Sequence, residues 1–533
     1  MFPLLRIALF FIVGIIVGDA LEGVVGFVVW QWTFLVMLLV AVGAYFCLKE
    51  HPILQTWLVF ILYAVGGAWR ASYYANSIDV VVKDVAEDYE AVVVTDPVDK
   101  GRSVSCQLLI TNGRLVRHRI VAYFAKNDGV GDSGRPQHFM GDGLELGDGI
   151  VARSCIDKAL WSGYDNSGSK FDYGRWLMVH EVSGRTFLGA DDYRCEAVSL
   201  EHLSGLQRLQ VICSKIRKRA LRLLAMAGVE GDAYAVVSAM TLGSKTALNS
   251  RLREVFSRSG VSHVLALSGL HLGMIYALLA FVFLPRLYSL WRLLIGNVVV
   301  LLAIWAYTVM VGMTPSITRA AVMTTVLVCA GVLSRNSMSL NNLGLAALVS
   351  LLINPMSLWN VSFQMSFMAV FGIMMCSERL RNVPPNKYVQ RYRLLAWLWS
   401  TLKVSVSAQL MVAPLVLFYF GRFSMYFIIA NIIAVPLSAL LLYLTVAFFL
   451  LSPLPWLATL MARLLSWDVS IMNACLGWVA ALPKASIDNV DIGVAQAILL
   501  YVFLAILYIL SYYFEMLYRI RFGYKIDFEV RKH

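Results

Sequence analysis

The chain has 533 residues, of which 59% are hydrophobic and 15% charged, and its mean hydropathy is +0.70. A soluble domain is roughly half apolar and about a quarter charged, so this composition excludes an ordinary soluble fold and puts most of the surface in lipid. The net charge of +12 has two possible sources: contact with a polyanion, or the Lys/Arg excess that fixes the orientation of cytoplasmic loops.

Residues 3–18, 24–48 and 53–73 are three apolar runs. The first is as short as a signal-peptide core. However, Asp19 and Glu22 follow it where a small-residue cleavage site would stand, which predicts a retained anchor. Residues 1–75 are therefore assigned to amino-terminal transmembrane helices. From Asp79 to Glu196 there are 19 acidic and 14 basic residues, a net charge of −5. β-rich runs at 89–95, 103–111, 119–124 and 149–156 alternate with the turn pairs Asn112-Gly113, Asp128-Gly129 and Asp148-Gly149. The pattern predicts a small all-β domain, sandwich or barrel, over 79–196. Cys106 and Cys155 are a candidate disulfide if this domain faces an oxidising compartment. No Cys-x-x-Cys pair occurs, and no metal site or cofactor is expected.

Residues 205–259 are basic, with Arg208, Lys215, Arg217, Lys218, Arg219 and Arg222 in the first half and only Glu230, Asp232 and Glu254 opposing the whole segment. Arg208, Lys215, Arg219 and Arg222 recur at helical spacing beside an apolar stripe of Leu209, Ile212, Ile216, Ala220 and Leu223. An amphipathic interfacial helix has this pattern, and either anionic lipid or a polyanion-collecting rim would use its charges.

Further apolar runs lie near 261–284, 293–313, 317–334, 342–353, 359–377, 395–420, 423–450, 456–481 and 493–518. With the first three they make about 12 spans over a channel domain of 260–518, residues 342–353 being short enough for a half-helix. If the amino terminus is cytoplasmic, the same side receives Arg286, Arg292, Arg335, the cluster Arg379, Arg381, Lys387, Arg391 and Arg393, and the basic tail 519–533. That obeys the positive-inside rule, places both termini in the cytoplasm and leaves the β domain outside. The expected fold class is a polytopic α-helical membrane protein with an inserted small all-β extracytoplasmic domain.

Four segments are more specific: Gly260 to Met274 (GVSHVLALSGLHLGM), Met313 to Val322 (MTPSITRAAV), Leu358 to Ile373 (LWNVSFQMSFMAVFGI) and Ser405 to Leu437, which ends FGRFSMYFIIANIIAVPL. They closely resemble the competence-type DNA-uptake channel family, the ComEC proteins. The runs Leu144 to Arg153 (LELGDGIVAR) and Phe171 to Val182 (FDYGRWLMVHEV) resemble that family's extracytoplasmic domain, usually an OB-type barrel. The resemblance covers roughly residues 85 to 500. It implies a cytoplasmic-membrane channel for single-stranded DNA in natural transformation, pulled by a cytoplasmic helicase or single-strand-binding proteins and served by a separate nuclease. Longer family members carry a metallo-β-lactamase-like domain with an HxHxDH motif. No two of the eight histidines here are separated by a single residue, so the expected form lacks that domain.

Within these motifs, eight helical residues separate His263 from His271 by roughly 12 Å along an axis, too far for one ion on one helix. His271, with Ser268 beside it, either lines a wet path or bonds a neighbouring helix. The four-residue spacing of Gly269 and Gly273 suits close packing. Arg319 faces phosphate or lipid headgroups. Asn360 with Gln364, and Ser405 with Gln409, share helical faces and either pair or line a groove. Pro414 and Pro436 are expected to interrupt adjacent spans, with Gly421, Arg422 and Asn431 between them as pore candidates. Arg114, Arg117, His118 and Arg119 form a local basic patch on a β domain expected to act mainly as a cap. The sequence contains no acid-base pair, nucleophile constellation or phosphate loop, which predicts a conduit and not an enzyme. Transport of another anionic polymer or solute, and hydrolysis by His263 or His271, are the alternatives; oligomeric state is undetermined.

Overall fold

The apolar runs fold as helices whose ends follow local signals. The computed structural model describes every residue except 1, 23, 48–49, 79–84, 126–143, 159–172, 190, 285–289, 334–338, 382–391 and 522–533. The loop residues Arg286, Arg335, Lys387 and Arg391, and the turn Asp128-Gly129, lie outside the described residues. Contacts divide the chain into two units, one of residues 1–367 and 426–485, the other of residues 368–425 and 486–533.

The first unit begins with α1 (Pro3–Ala20), α2 (Phe27–Cys47) and α3 (Pro52–Ile78). α1 and α3 meet backbone to backbone. A Cβ on Gly14 would sit 1.8 Å from the Ala64 carbonyl oxygen, and one on Gly67 would sit 2.3 Å from the Phe11 oxygen. Gly14 and Gly18, four residues apart, therefore supply the small-residue seam that lipid-embedded helices use to approach closely.

The strands are β1 (Glu87–Val93), β2 (Val98–Asp99), β3 (Ser103–Asn112), β4 (Arg119–Ala125), β5 (Gly149–Ser154), β6 (Ile156–Lys158), β7 (Val182–Leu188) and β8 (Tyr193–Cys195). Their order is β6-β7-β4-β3-β1-β5-β8, with β2 paired to β3. Every pair is antiparallel except β4 with β7. β5 runs into β6 across Cys155, so residues 149–158 pair β1 at one end and β7 at the other, curling the sheet. Alternate residues such as Leu108, Ile110, Ile120, Phe124 and Ile150 fill the interior. A hydroxyl chain satisfies the buried polar groups: Tyr89 Oη lies 2.9 Å from Ser154 Oγ, which lies 2.7 Å from Thr186 Oγ1, and Thr186 donates to the Cys155 carbonyl at 3.0 Å. The expected Cys106–Cys155 disulfide is not formed. Cys106 points into this core, where burial pushes its thiol up to about 12, whereas Cys155 is exposed.

α4 (Tyr173–Val179) covers part of the outer face of β4 and β7 through Leu177, Val121 and Val182. The chain continues through α5 (Gly205–Met226), α6 (Gly231–Val237), a π turn and α7 (Ser250–Ser259). It then enters α8 (Ser262–Leu265), α9 (Gly269–Phe283), α10 (Leu290–Met310), α11 (Pro315–Val332), α12 (Leu340–Ile353) and α13 (Val361–Arg381). α14 (Arg393–Phe420) and α17 (Val494–Arg521) belong to the second unit, while α15 (Phe427–Leu451) and α16 (Pro455–Ala481) form a hairpin in the first. That hairpin packs with α6, α7 and residues 261–265 around Leu441, Phe448, Leu465 and Met472.

Among the described residues, nine helices are long and apolar enough to cross a membrane, and α9, α12 and the stretch Val361–Cys376 are shorter apolar helices. The protein is a multi-pass membrane protein. Two expectations need correction. The run 261–284 is not one helix, because residues 266–268 break it between α8 and α9. Pro414 and Pro436 do not end their spans; α14 and α15 continue through them.

Replacing Gly14 by Val forces the α1 and α3 backbones apart, and membrane accumulation of the full chain is expected to fall severalfold in quantitative immunoblots, with Gly273→Val as a neutral control because nothing lies within 4 Å of that position. A pH effect follows from the sheet. Burial holds His118 and His180 below their ordinary pKa. The unfolded chain therefore binds their protons first, and their contribution favours folding above about pH 6.5 and is lost as pH falls through and below that value. Hydrogen exchange over residues 173–188, corrected for intrinsic rates, should accelerate at pH 5.5 relative to 7.5, and less so in His180→Asn.

Candidate functional site

The break at residues 266–268 organises the membrane motifs. Gly260 ends α7 with φ 85°, a conformation glycine adopts at little cost, and Ala266 is extended. Ser268 then caps α9. Its backbone N–H donates to His271 Nδ1 at 3.4 Å, and its Oγ lies 3.1 Å from the same nitrogen. His271 thus takes the capping-box place usually held by Glu or Gln. It is fully buried, and its Nε2 has no hydrogen-bond partner among the described residues. The separation expected between His263 and His271 along one helix does not apply, since α8 and α9 are distinct. No group of three metal-ligating side chains occurs among the described residues.

Gly269 brings α9 against α11, where its Cβ would lie 3.6 Å from that of Ala320. Gly273, expected to support close packing, faces open space. Next to Ala320, Arg319 is 4% exposed and turns inward, away from headgroups. One terminal guanidinium nitrogen donates to Ser362 Oγ at 2.6 Å, and the group lies 5.8 Å from the centre of the Phe363 ring. Its Nε and other terminal nitrogen have no hydrogen-bond partner among the described residues. Ser362 opens α13, which Asn360 caps by accepting the Ser362 N–H at 2.9 Å. Asn360 therefore precedes the helix and does not share a face with Gln364, whose Nε2 donates to the Leu358 carbonyl at 3.0 Å. Three of the four motifs thus meet along α11, Gly269 lying against Ala320 and Ser362 binding Arg319.

The α15–α16 hairpin carries further polar groups of the first unit. Asn431, Ser438 and Thr445 lie one heptad apart on α15, and the Oδ1 of Asn431 is buried without a partner among the described residues. Facing helix α16 holds Asp468, 3% exposed, thirteen residues from either end, with both carboxyl oxygens unpaired among the described residues. Sequence reading passed over Asp468, although one acid in the middle of an apolar 27-residue helix was the available signal.

In the second unit, Gln409 is half-buried on α14 and Ser407, two residues earlier, is fully buried. Arg422 is ion-paired, its Nε 2.6 Å from Asp488 Oδ1, beside the two-stranded ladder of β9 (Phe423–Ser424) and β10 (Ser486–Ile487).

Residues 240–513, just over half of the chain, match the family described as "Competence protein". The chain belongs to the competence protein family. It is also 27% identical over 266 residues to ComE operon protein 3 of Bacillus subtilis (strain 168), an alignment that takes in 50% of this chain and 31% of that relative. The match therefore covers less than a third of the relative's length. No solved structure matches the chain.

Outside the competence-family match, α5 lies on the sheet, and this changes the picture of its charges. Ser204 and Gln207 cap its start reciprocally. Arg217 is 6% exposed and reaches Asp96 at 2.5 Å. Lys218 pairs with Glu145 and with Asp148 at 3.1 Å, and Arg222 pairs with Glu145 at 2.7 Å. Burial is the leading influence at this seam, raising the Asp148 carboxyl and lowering the Lys218 ammonium. Arg208 bonds the Leu203 and Glu201 carbonyls. Three of the six expected rim residues, Arg217, Lys218 and Arg222, are thus bound to carboxylates, and Arg217 is withdrawn from any ligand. Lys215 and Arg219 remain exposed on an open groove of about 450 Å³ with Asp148 and Glu196. The apolar stripe is exposed as well, at Leu209, Ile212, Ile216 and Leu223.

Arg217→Ala leaves Asp96 largely buried without its partner and should destabilise the folded chain by about 3 kcal/mol, the usual cost of breaking such a pair. Thermal unfolding of the purified protein measures it, and Asp96→Ala added to Arg217→Ala should recover part of the loss.

Proposed function

We propose that this chain is a cytoplasmic-membrane channel that admits single-stranded DNA during natural transformation. Arg319 carries the reading. A permanent cation buried among apolar spans, with two guanidinium nitrogens unsatisfied, is costly to keep, and a phosphate backbone is the partner it suits. The break at 266–268 places His271 and Ser268 in the same set of converging motifs, and irregular backbone at membrane depth is tolerated only beside protein or water. Asn431, Gln364 and Asp468 add polar lining within the first unit, and Gln409 and Arg422 are the second unit's candidates. Membership of the competence protein family, with the likeness to ComE operon protein 3 of Bacillus subtilis, supports a role in competence.

Within this reading the curled sheet is an OB-type barrel. Leaving out the two-residue β2 and the short β8 and counting β5 and β6 as one strand, the closed order is first-second-third-fifth-fourth-first, that is β1-β3-β4-β7-β5/β6-β1, with β4 and β7 parallel. It stands outside the cytoplasmic membrane, with both termini inside, and α5 rests its apolar stripe on the outer leaflet. The channel has no catalytic role and no cofactor. Directional force comes from a cytoplasmic helicase or single-strand-binding proteins, and strand degradation from a separate nuclease.

The test replaces the chromosomal gene with variants of equal membrane abundance and counts transformants. Arg319→Gln should lower transformation by about a hundredfold, the scale of a lost buried charge contact worth about 3 kcal/mol, and Arg319→Lys by less. Unchanged frequency with Arg319→Gln would overturn the proposal, and normal transformation of a deletion strain would assign the spans to another anionic polymer or solute.

A further inference from the structure

The outer face of the sheet carries an aromatic step that the channel reading leaves unused. Tyr123 on β4 and Phe187 on β7 are direct partners in the one parallel pair. Their chain neighbours Ala122, Phe124 and Leu188 lie in the core, so the two rings stand on the opposite face. The rings stack with centroids 5.1 Å apart and planes 19° from parallel. Phe187 is 61% exposed. On the next strand the buried Ser105 stands opposite Tyr123, and beyond it on β2 lies Val98, which is exposed.

Cations flank the rings. Lys100 Nζ lies 5.1 Å from the centre of the Tyr123 ring, and Arg185 is two residues before Phe187 on the same face. The nearby acids are engaged locally: Asp99 accepts the Gly101 N–H at 2.7 Å, and Asp157 lies 3.8 Å from Arg185. The step also has a direction. Tyr123 Oη lies 3.1 Å from Tyr173 Oη at the start of α4, and from the same helix Arg175 sits 4.4 Å over the Trp359 ring. Trp359 closes the turn that leads into α13, the helix whose Ser362 binds Arg319.

A water-exposed ring such as Phe187, stacked on the half-buried Tyr123, adds little to a core, whereas every nucleobase has a face that such a ring accepts, and a neighbouring cation meets the next phosphate. The segment's net charge of −5 argues against capture by bulk charge, so attachment has to come through base faces. We propose that Tyr123, Phe187 and Lys100 form a base-stacking step that takes unpaired nucleobases of the incoming strand before it reaches the spans. The proposal rests on the single-strand reading above.

Fluorescence anisotropy on the purified full chain in detergent tests it with two probes, a thymidine oligonucleotide and an abasic strand of the same length and charge. The intact protein should bind the thymidine strand about tenfold more tightly, which corresponds to about 1.4 kcal/mol. Phe187→Ala should lower that affinity to the abasic level with abasic binding unchanged, and Phe187→Tyr should retain the preference. Unfolding temperatures of the variants show that the sheet is intact. Equal affinity of the intact protein for both probes, or a preference that survives Phe187→Ala, overturns the step. That failure is separable from failure of the channel reading, because loss of transformation in Arg319→Gln does not depend on it.

Discussion

Inside a bilayer no water is on hand to satisfy a stray polar group, so each one has to meet another polar group, a water-filled cavity or a ligand. This protein is built mostly from side chains that raise no such difficulty. Where they do occur, three are deeply buried. Arg319, His271 and Asp468 are each almost entirely out of contact with solvent or lipid, and each retains at least one nitrogen or oxygen without a partner among the described residues. Three costly groups held by helices of the competence-matched region are hard to explain as packing, because apolar side chains of similar size would fill the same space more cheaply.

The scaffold that holds them relies on closeness. Gly14 and Gly67 let the first and third helices touch along their backbones, and Gly269 lets the ninth lie on the eleventh. Small residues at such crossings replace the hydrophobic drive that is missing between helices in lipid. Outside the spans, the sheet and α5 are joined differently, through Arg217, Lys218 and Arg222 and their carboxylate partners. That seam lets one helix be fixed by its charges while its apolar stripe stays uncovered.

The broad design was legible from residues alone. Apolar runs located the helices because length and hydropathy decide a span, and turn pairs between β-rich runs located the sheet because Asn-Gly and Asp-Gly admit tight turns. α5 was announced by Arg208, Lys215, Arg219 and Arg222 recurring at helical spacing beside an apolar stripe. What stayed hidden depended on distant partners. Nothing near Arg217 in sequence announces Asp96, 121 positions away. A proline reads as a break, yet α14 and α15 run through theirs, while the true interruption at residues 266–268 contains no proline at all. Tyr123 lies in a predicted β-rich run and Phe187 in none, and only the parallel pairing of β4 with β7 sets them side by side.

Passage of a polyanion through the membrane would bring it past the inward-turned Arg319. Its most direct test is photocrosslinking of an incoming labelled strand in transforming cells, with a photoreactive amino acid placed at Ser362, the hydrogen-bond partner of Arg319, or at the outward-facing Trp467, which is 68% exposed. Strand adducts should form from position 362 and not from 467. Adducts from neither position, or equally from both, would contradict it.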